Sequence, residues 1–325
     1  MLSIISTTNN PYFNLATEEY LLKNKDEDVF YLYRNAPSII VGTHQNTIAE
    51  INYDHVKEHN IPVIRRLSGG GAVFHDLGNL NFCFITNVEK NTAESFKEFT
   101  KPILEVLNQL GVEAIFSGRN DLTIDGKKFS GNAQHVSKNR ILHHGTLLFS
   151  SNMADLSKAL KVNPLKFKDK NVKSVKSRVT NISSHLPQPM SIEYFVDAIA
   201  KHITGSSHSS FYQLNETETN TIQQLVDNKY DTWDWTYGKQ ATYGFTNAIR
   251  YSGGTIEYHF NVKNGSLEDL RIYGDFFNKE DVHVIEKKLV GTKHELEAIK
   301  DQLKDLNLED YFIGIDVDTF VKGLF

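Results

Sequence analysis

Residues 65–79 read Arg65-Arg66-Leu67-Ser68-Gly69-Gly70-Gly71-Ala72-Val73-Phe74-His75-Asp76-Leu77-Gly78-Asn79. Apolar runs at residues 61–64 and 80–85 flank this stretch, and each has the pattern of a short strand. Three consecutive glycines let the backbone approach a ligand closely, and successive free N–H groups in such a turn bind anions. The two arginines add planar, permanently charged groups that suit carboxylate or phosphate. The stretch therefore predicts an anion or nucleotide cradle, in preference to a flexible turn beside a solvated basic pair.

This cradle differs from the common phosphate-binding loops. No Gly-Lys-Ser/Thr follows the glycines, as a Walker loop requires. The next apolar run predicts a strand, whereas a dinucleotide-binding loop would begin a helix.

A second stretch, residues 118–133, combines a hairpin signal with basic residues. Asp125-Gly126 between two alternating segments predicts a tight turn. Alternation along a strand places Lys127 and Phe129 on one face and Lys128 on the other. Lys128 can therefore face a site while Lys127 stays in water, although two solvated hairpin lysines would give the same pattern.

Composition bounds the class of protein. The chain has 325 residues, 40% of them hydrophobic, which suits one large domain and a smaller one with proper cores. Its net charge of −5 argues against a general nucleic-acid binder. A single cysteine, Cys83, excludes an intrachain disulfide and a Cys-rich metal site. The absence of a signal-like start and of a long apolar run predicts a cytoplasmic protein outside the membrane.

Three other features have two interpretations each. His143 and His144 are adjacent in an apolar run, which suggests a metal site as one hypothesis. Neighbouring residues on a strand face opposite ways, however, which argues against two ligands to one ion. Arg34 and Gln45-Asn46 follow predicted strands, where both site residues and ordinary loop residues occur. The basic segment 161–178 is either a flap that meets phosphates or an acidic partner, or a solvated loop.

Together these stretches resemble the signatures of lipoate–protein ligases. The family's most specific motif, Arg-Arg-x-Ser-Gly-Gly-Gly-Ala-Val-Phe/Tyr-His-Asp-x-Gly-Asn, matches residues 65–79. Its second motif, Gly-Arg-Asn-Asp-Leu followed by Lys-x-Ser-Gly-x-Ala, matches residues 118–133, and its His-His-Gly-Thr-Leu-Leu matches residues 143–148. The resemblance covers nearly the whole chain, including the C-terminal accessory domain of the longer members.

The resemblance implies an α+β fold. Residues 1–244 are expected to form the catalytic domain, a mixed sheet with flanking helices that is shared with biotin ligases and similar to class II aminoacyl-tRNA synthetases. Residues 245–325 are expected to form a small α+β accessory domain around a hairpin at Asn264-Gly265.

The resemblance also implies a two-step reaction. Lipoate attacks the α-phosphate of ATP to give lipoyl-AMP, and a lysine of an apo lipoyl domain then attacks the mixed anhydride. Mg²⁺ is expected to neutralise the departing pyrophosphate. The implied acceptors are the glycine cleavage H protein and the acyltransferase subunits of 2-oxoacid dehydrogenases, with no nucleic acid and no membrane as partner.

Carried over residue by residue, the resemblance marks Lys128 as catalytic, since it is the lysine of Lys-x-Ser-Gly. Asp121 is a candidate Mg²⁺ ligand, and Arg66 and Lys128 would supply positive charge where two anions meet. The residues implied for ATP and lipoyl-AMP binding are Arg66, Ser68, Gly69, Gly70, Gly71, Ala72, Val73, Phe74, Asn79, Asp121, Lys128, Gly131, Ala133, His144, Gly145 and Arg178.

Three rival functions are considered. A lipoyl or octanoyl transferase (amidotransferase) of related fold would use a cysteine thioester, whereas Cys83 lies in an apolar run. A biotin ligase would carry a Gly-Arg-Gly-Arg-type loop, which the sequence does not contain. A non-catalytic nucleotide-binding module would have lost Lys128 or the glycines, and both are present.

Changing Cys83 to Ser or Ala is expected to leave lipoyl transfer nearly unchanged, because a thiol within an apolar strand is not activated. Intact mass of the acceptor protein measures the transfer. Loss of transfer, together with a thioester trapped on Cys83 of the unmodified enzyme, would identify a cysteine transferase instead.

Overall fold

The computed structural model describes the chain except for residues 44, 46, 88–94, 119, 161–178, 206–210, 239–242, 253 and 275–279. The chain forms two compact units. The first consists of Met1–Gln45 and Ala49–Thr232, and the second of Asn46–Ile48 and Trp233–Phe325. The division expected from the sequence, between residues 244 and 245, falls inside a strand, Tyr243–Tyr251.

The first unit is built on a seven-stranded sheet with the strand order β1-β2-β6-β10-β9-β8-β7. Its first two strands are parallel and its other neighbours antiparallel, so the predicted mixed sheet is confirmed. The strands are β1 Leu2–Ile5, β2 Val29–Tyr33, β6 Asn79–Asn87, β7 Ile115–Ser117, β8 Asp121–Ile124, β9 Lys127–Ser137 and β10 Arg140–Leu148. A smaller sheet of order β4-β3-β5 consists of β3 Ser38–Val41, β4 Val63–Arg65 and β5 Val73–His75.

Helices lie between these strands. They are α1 Pro11–Asn24, α2 Thr47–Glu50, α3 Tyr53–Glu58, α4 Ser95–Gln109, α5 Met153–Ala159, α6 Ile192–Thr204 and α7 Glu216–Leu225, with shorter turns at Ile182–His185 and Val226–Tyr230. α1 begins where the Asn10 side chain accepts from the backbone N–H groups of Tyr12 and Phe13. α4 packs Ile103, Val106 and Leu107 into the sheet core, as its apolar periodicity predicts. No helix in the described ranges is both long and apolar enough to cross a membrane.

The predicted hairpin turn is present, but the strand after it is irregular. Asp125 and Gly126 have φ of 49° and 71°, the two positive values that a tight hairpin turn requires. Ser130 pairs with Leu122, yet Lys128 pairs with Thr123, so Phe129 is an extra residue. This bulge breaks the side-chain alternation. Phe129 is fully buried whereas Lys127 is exposed, so the prediction that they share a face is wrong.

The second unit is an antiparallel sheet with helices. Its strands, in the order β11-β12-β13, are β11 Tyr243–Tyr251, β12 Gly254–Lys263 and β13 Ser266–Gly274. Its helices are α8 His283–Leu289, α9 Leu296–Leu303 and α10 Val317–Lys322, with turns at Asp234–Gly238 and Leu308–Asp310. The predicted hairpin at Asn264-Gly265 is confirmed, whereas β11 was not predicted.

A buried carboxylate joins α1 to the end of the first unit. Glu19 accepts hydrogen bonds from Lys23 Nζ and Lys229 Nζ, both at 2.5 Å, and from the Tyr230 hydroxyl at 2.7 Å. Burial alone would raise the pKa of Glu19. The hydrogen bonds from Lys229, Lys23 and Tyr230 outweigh that effect, so the pKa lies below its usual value.

Glu19 is therefore expected to stabilise the fold at neutral pH and to lose this effect in acid. Its contribution is fully present above the unfolded-state pKa of about 4.3 and disappears as pH falls through the lower folded-state value. Urea unfolding of the natural protein and of Glu19→Gln, compared from about pH 3 to about pH 7, measures it. A difference in unfolding free energy that does not shrink in acid would contradict the assignment.

Candidate active site

One pocket in the first unit brings the two informative stretches together. The glycine loop between β4 and β5 forms one wall, and β9 and β10 form another. Ten of the residues implied by the resemblance line it: Arg66, Gly70, Gly71, Ala72, Val73, Lys128, Gly131, Ala133, His144 and Gly145.

The other implied residues lie behind or beside the lining, and one lies outside the described ranges. Ser68 and the Gly69 carbonyl hydrogen-bond to Arg66 beneath the loop. Phe74 is buried in β5. Asn79 donates to Asn81, which lines the pocket, and Asp121 pairs with Lys128. Arg178 and the basic segment 161–178 are among the residues that the structure does not describe.

The two arginines organise loops. Arg65 is fully buried and donates to the carbonyls of Gly42, Thr43 and Gln45. Arg66 uses four N–H groups of its guanidinium. They bind Ser68 Oγ at 3.0 Å and the carbonyls of Ile40, Gly69 and Gly71 at 3.1, 2.6 and 2.9 Å respectively.

The predicted role of Arg66, to supply positive charge where two anions meet, stays a prediction, and the structure adds that this guanidinium holds the loop. A guanidinium has five N–H donors, and the loop and its support occupy most of those of Arg66. Burial lowers the pKa of Arg66 to about 10, which leaves it charged at neutral pH. Its charge therefore acts on a ligand mainly through the loop that it holds.

The orientation of the glycine loop follows from these bonds. In a trans peptide the C=O and N–H point in opposite directions, so capture of the Gly69 and Gly71 carbonyls by Arg66 turns the next N–H groups away from it. Within the described residues, the backbone N–H groups of Gly70, Gly71 and Ala72 have no acceptor. Successive free N–H groups above a buried cation form a site for an anion.

Two glycines let backbones meet at this loop. A Cβ on Gly42 would clash with the Gly70 carbonyl oxygen, so the loop after β3 lies directly against the glycine loop. Gly70 itself has φ of 95°, a conformation that side-chain-bearing residues rarely adopt.

A chain of buried polar groups crosses the pocket wall from Arg66 to α1. Arg66 Nε donates to Ser68 Oγ, which lies 2.5 Å from His144 Nε2. His144 Nδ1 lies 2.8 Å from Glu18 Oε2, and the Tyr33 hydroxyl donates to the other Glu18 oxygen at 3.0 Å. All of these hydrogen bonds can be oriented the same way along the chain. The guanidinium is then the donor at one end and the carboxylate the acceptor at the other. It links the Arg66 cation to the Glu18 carboxylate through the side chains of Ser68 and His144.

Lys128 supplies the cation at the other side of the pocket. Its Nζ lies 2.7 Å from Asp121 Oδ1, and its side chain is 41% exposed. A Cβ on Gly131 would lie 2.9 Å from this Nζ, so the glycine makes room for the folded lysine side chain. The bulge at Phe129 lies beside Lys128, and bulges of this kind re-aim neighbouring side chains.

Sequence reasoning missed several residues of the lining: Leu15, Tyr33, Ile40, His75, Asn81, Asn120, Asn132 and Thr146. In the sequence, the apolar residues of this set have the same pattern as residues of the hydrophobic core. Only the tertiary fold separates pocket-lining residues from core residues. His75, Asn120, Asn132 and Thr146 lie inside the three quoted motifs and could have been flagged on that ground.

Other candidate residues lie elsewhere. Cys83 is fully buried in β6 and is not part of the lining; burial and the nearby Glu18 raise the pKa of its thiol well above the usual value. Arg34 pairs with Glu193 at 3.3 Å and lines a different cavity. Gln45 accepts from the Gly42 N–H, whereas Asn46 is not described.

The side chains that could act as metal ligands at the pocket fit Mg²⁺ only in part. No group of three or more His, Cys, Asp or Glu side chains that could hold a metal occurs among the described residues. Mg²⁺ commonly uses one or two carboxylates together with substrate phosphates and water. Asp121 at the pocket fits that limited role as a single carboxylate.

Two sequence profiles match the chain. The Lipoyl protein ligase A/B catalytic domain matches residues 10–204, more than half of the chain. The Bacterial lipoate protein ligase C-terminus matches residues 240–324. The chain belongs to the lipoate–protein ligase family. The resemblance seen in the sequence motifs is therefore confirmed.

Relatives that match this chain over their full length support the same family assignment. The chain is 46% identical over 322 residues to a lipoate-protein ligase of Bacillus subtilis (strain 168), with 98% of this chain and 97% of that protein covered. It is 45% identical over 325 residues to lipoate–protein ligase 1 of Staphylococcus aureus, with 99% of both covered.

Solved structures of the family confirm the fold class. An archaeal bi-partite lipoate protein ligase from Thermoplasma acidophilum, studied with its E2 lipoyl domain, aligns with a TM-score of 0.64 at 29% identity, covering 73% of this chain and 95% of that one. A lipoate-protein ligase A bound with ATP gives 0.62 at 25% identity, covering 74% and 97%. A P. falciparum protein in complex with lipoate gives 0.59 at 29% identity, covering 94% of each chain.

Glu18→Gln is expected to destabilise this family member by about 3 kcal/mol, because the buried Arg66 cation loses its compensating charge. Urea unfolding at neutral pH measures the loss. The matched control is Glu193→Gln, which removes an exposed carboxylate and should change the unfolding free energy by less than about 1 kcal/mol. Equal effects of the two substitutions would contradict a role for Glu18 in balancing Arg66.

Proposed function

We propose that this chain is an ATP-dependent lipoate–protein ligase that forms lipoyl-AMP and transfers the lipoyl group to a lysine of an apo lipoyl domain. The observation that carries the proposal is the pocket itself. A partly exposed cation, Lys128, and the glycine loop with its free N–H groups line the same cavity as the apolar Leu15 and Ile40. An acyl adenylate needs both an anion site and an apolar wall for its acyl chain.

The first step joins two anions. An oxygen of the lipoate carboxylate forms a bond to the α-phosphorus of ATP, and the bond to pyrophosphate breaks. The N–H groups of Gly70 and Ala72 would hold the phosphoryl oxygens, while Lys128 offsets the repulsion between carboxylate and phosphate. Preorganised donors of this kind lower the barrier because they need no rearrangement during the reaction.

The second step transfers the acyl group. The neutral amine of the acceptor lysine attacks the acyl carbon and forms the amide bond, AMP leaves with the electron pair of the broken anhydride bond, and the amine proton passes to water. Lys128 would stabilise the charge that develops on the acyl oxygen. No enzyme thioester is needed, which agrees with the burial of Cys83 away from the pocket lining.

Mg²⁺ would neutralise the leaving pyrophosphate when bound, with Asp121 as its single carboxylate ligand. In the absence of the ion, Asp121 orients Lys128 through their ion pair. The acceptors proposed are the glycine cleavage H protein and the acyltransferase subunits of 2-oxoacid dehydrogenases. Support for a lipoyl domain as partner comes from the archaeal relative studied with its E2 lipoyl domain.

We propose the second unit as the accessory part of the enzyme and the first unit as the part that carries both reaction steps. Support comes from the pocket, whose lining residues all belong to the first unit. The match of residues 240–324 to the C-terminal profile of bacterial lipoate protein ligases supports the accessory role of the second.

Lys128→Ala is expected to abolish both lipoyl-AMP formation and transfer, whereas Lys127→Ala should retain most activity. Loss of a charge partner in the transition state costs roughly 3–4 kcal/mol, or about 10²–10³ in rate. Lys127 is the matched control, since it is the adjacent lysine and its side chain is exposed. Lipoate-dependent exchange of pyrophosphate into ATP measures the first step, and equal effects of the two substitutions would refute the assignment.

The overall reaction is tested by incubating the enzyme with lipoate, MgATP and a panel of apo lipoyl domains, followed by intact mass of each domain. Lipoylation that requires ATP supports the ligase. Transfer from a lipoylated donor protein without ATP would instead identify an amidotransferase.

A further inference from the structure

His75 has an unusual environment in the pocket wall. It is the last residue of β5, is 3% exposed and lines the pocket. Its Nδ1 lies 3.0 Å from Asn35 Nδ2. Its Nε2 is buried and has no hydrogen-bond partner among the described residues. An unpaired buried donor or acceptor is costly, so the atom requires an explanation.

The neighbouring side chains fix which nitrogen of His75 carries the proton. Asn14 Nδ2 donates to the backbone carbonyls of Thr8 and Arg34, so this atom is the amide nitrogen. The same nitrogen lies 2.8 Å from Asn35 Oδ1, so its two hydrogens are shared among three acceptors. Asn35 Nδ2 is therefore a donor as well, and His75 Nδ1 must accept from it.

In a neutral imidazole with Nδ1 as acceptor, Nε2 carries the hydrogen. His75 is neutral, because burial, followed by the charges of Arg66 and His144, lowers its pKa to about 3. The unpartnered atom is thus an N–H donor, and it remains one over the whole neutral range.

No acceptor within the described chain satisfies this donor. Asn79 Oδ1, the nearest candidate along the sequence, is itself a buried acceptor without a partner, so the two do not bond to each other. β5 begins directly after the glycine loop, whose free N–H groups point away from Arg66. An anion held by that loop would therefore lie at the same wall of the pocket as His75.

We propose that His75 is a further catalytic residue, whose Nε2–H donates to a non-bridging phosphoryl oxygen of the adenylate as the lipoate carboxylate attacks. The inference rests on the proposed function, since it requires an adenylate in this pocket. A His75 that donates through Nε2 is not the base that deprotonates the acceptor lysine. The nitrogen that could take up a proton, Nδ1, is already engaged by Asn35.

The variants His75→Leu and His75→Gln test the proposal. Leu fills the space without a donor, whereas the Gln side-chain amide places an N–H near the position of Nε2. Exchange of pyrophosphate into ATP is measured at varied lipoate and ATP. For Leu we expect kcat to fall on the order of 10²-fold with KM for both substrates little changed, and Gln should recover most of the loss.

The pH profile distinguishes a donor from a base. Because His75 does not titrate near neutrality, the profiles of the natural enzyme and of His75→Gln should be parallel from about pH 6 to about pH 8. Disappearance of a rising limb in the variant would overturn the proposal in favour of a general base.

A measurement on the unsubstituted enzyme avoids any dependence on variant stability. With nitrogen-15-labelled histidine, NMR should show His75 as the neutral Nε2–H tautomer. Addition of a non-hydrolysable lipoyl-adenylate analogue with a sulfamoyl group in place of the phosphoryl group should move this proton downfield. His75→Gln identifies the signal.

Three outcomes overturn the proposal. They are a proton on Nδ1, a signal that the analogue leaves unchanged, and equal losses for Leu and Gln in the exchange assay. Failure of the underlying function is seen separately, because the natural enzyme would then form no lipoyl-AMP and bind no analogue.

Discussion

The pocket depends on the buried guanidinium of Arg66. This one group binds the carbonyls of two glycines in the loop and of Ile40 in β3, and so fixes both the shape of the loop and its position on the small sheet. Because each captured carbonyl turns the following N–H toward the cavity, a cation placed beneath the backbone produces an anion site above it. The close approach of Gly42 to Gly70 supports the loop from the side.

A buried cation needs compensation, and the fold supplies it from a distant part of the chain. Glu18 on α1 reaches Arg66 through His144 on β10 and Ser68 below the loop. The helix, the large sheet and the glycine loop are therefore joined by one charge-balanced chain of hydrogen bonds. Removing a member leaves an unpaired buried group, which explains why a residue far from the reacting atoms can matter to the loop.

The polar side chains of the pocket divide into a fixed set and an adaptable one. Arg66, Glu18 and His75 are almost fully buried, and each is held by a hydrogen bond to another buried side chain. Lys128 is partly exposed and sits beside a strand bulge, with Asp121 as its partner. A rigid wall suits the binding of an intermediate, whereas a lysine near the opening can follow the substrate between two successive reactions.

The sequence by itself determined the family, the glycine loop between two strands and the Asp125-Gly126 hairpin, and it singled out Lys128, which lines the pocket, because each depends on residues close together in the chain. It could not predict that Arg66 faces loop carbonyls, since the Ile40 acceptor comes from another strand. Nor could it predict the bulge at Phe129 or strand β11, which depend on pairing between segments. Only the tertiary structure decided the apolar lining, the Glu18–His144–Ser68 chain and the donor state of His75. Each of these depends on which buried polar group meets which partner, and the low dielectric of the interior makes those pairings obligatory.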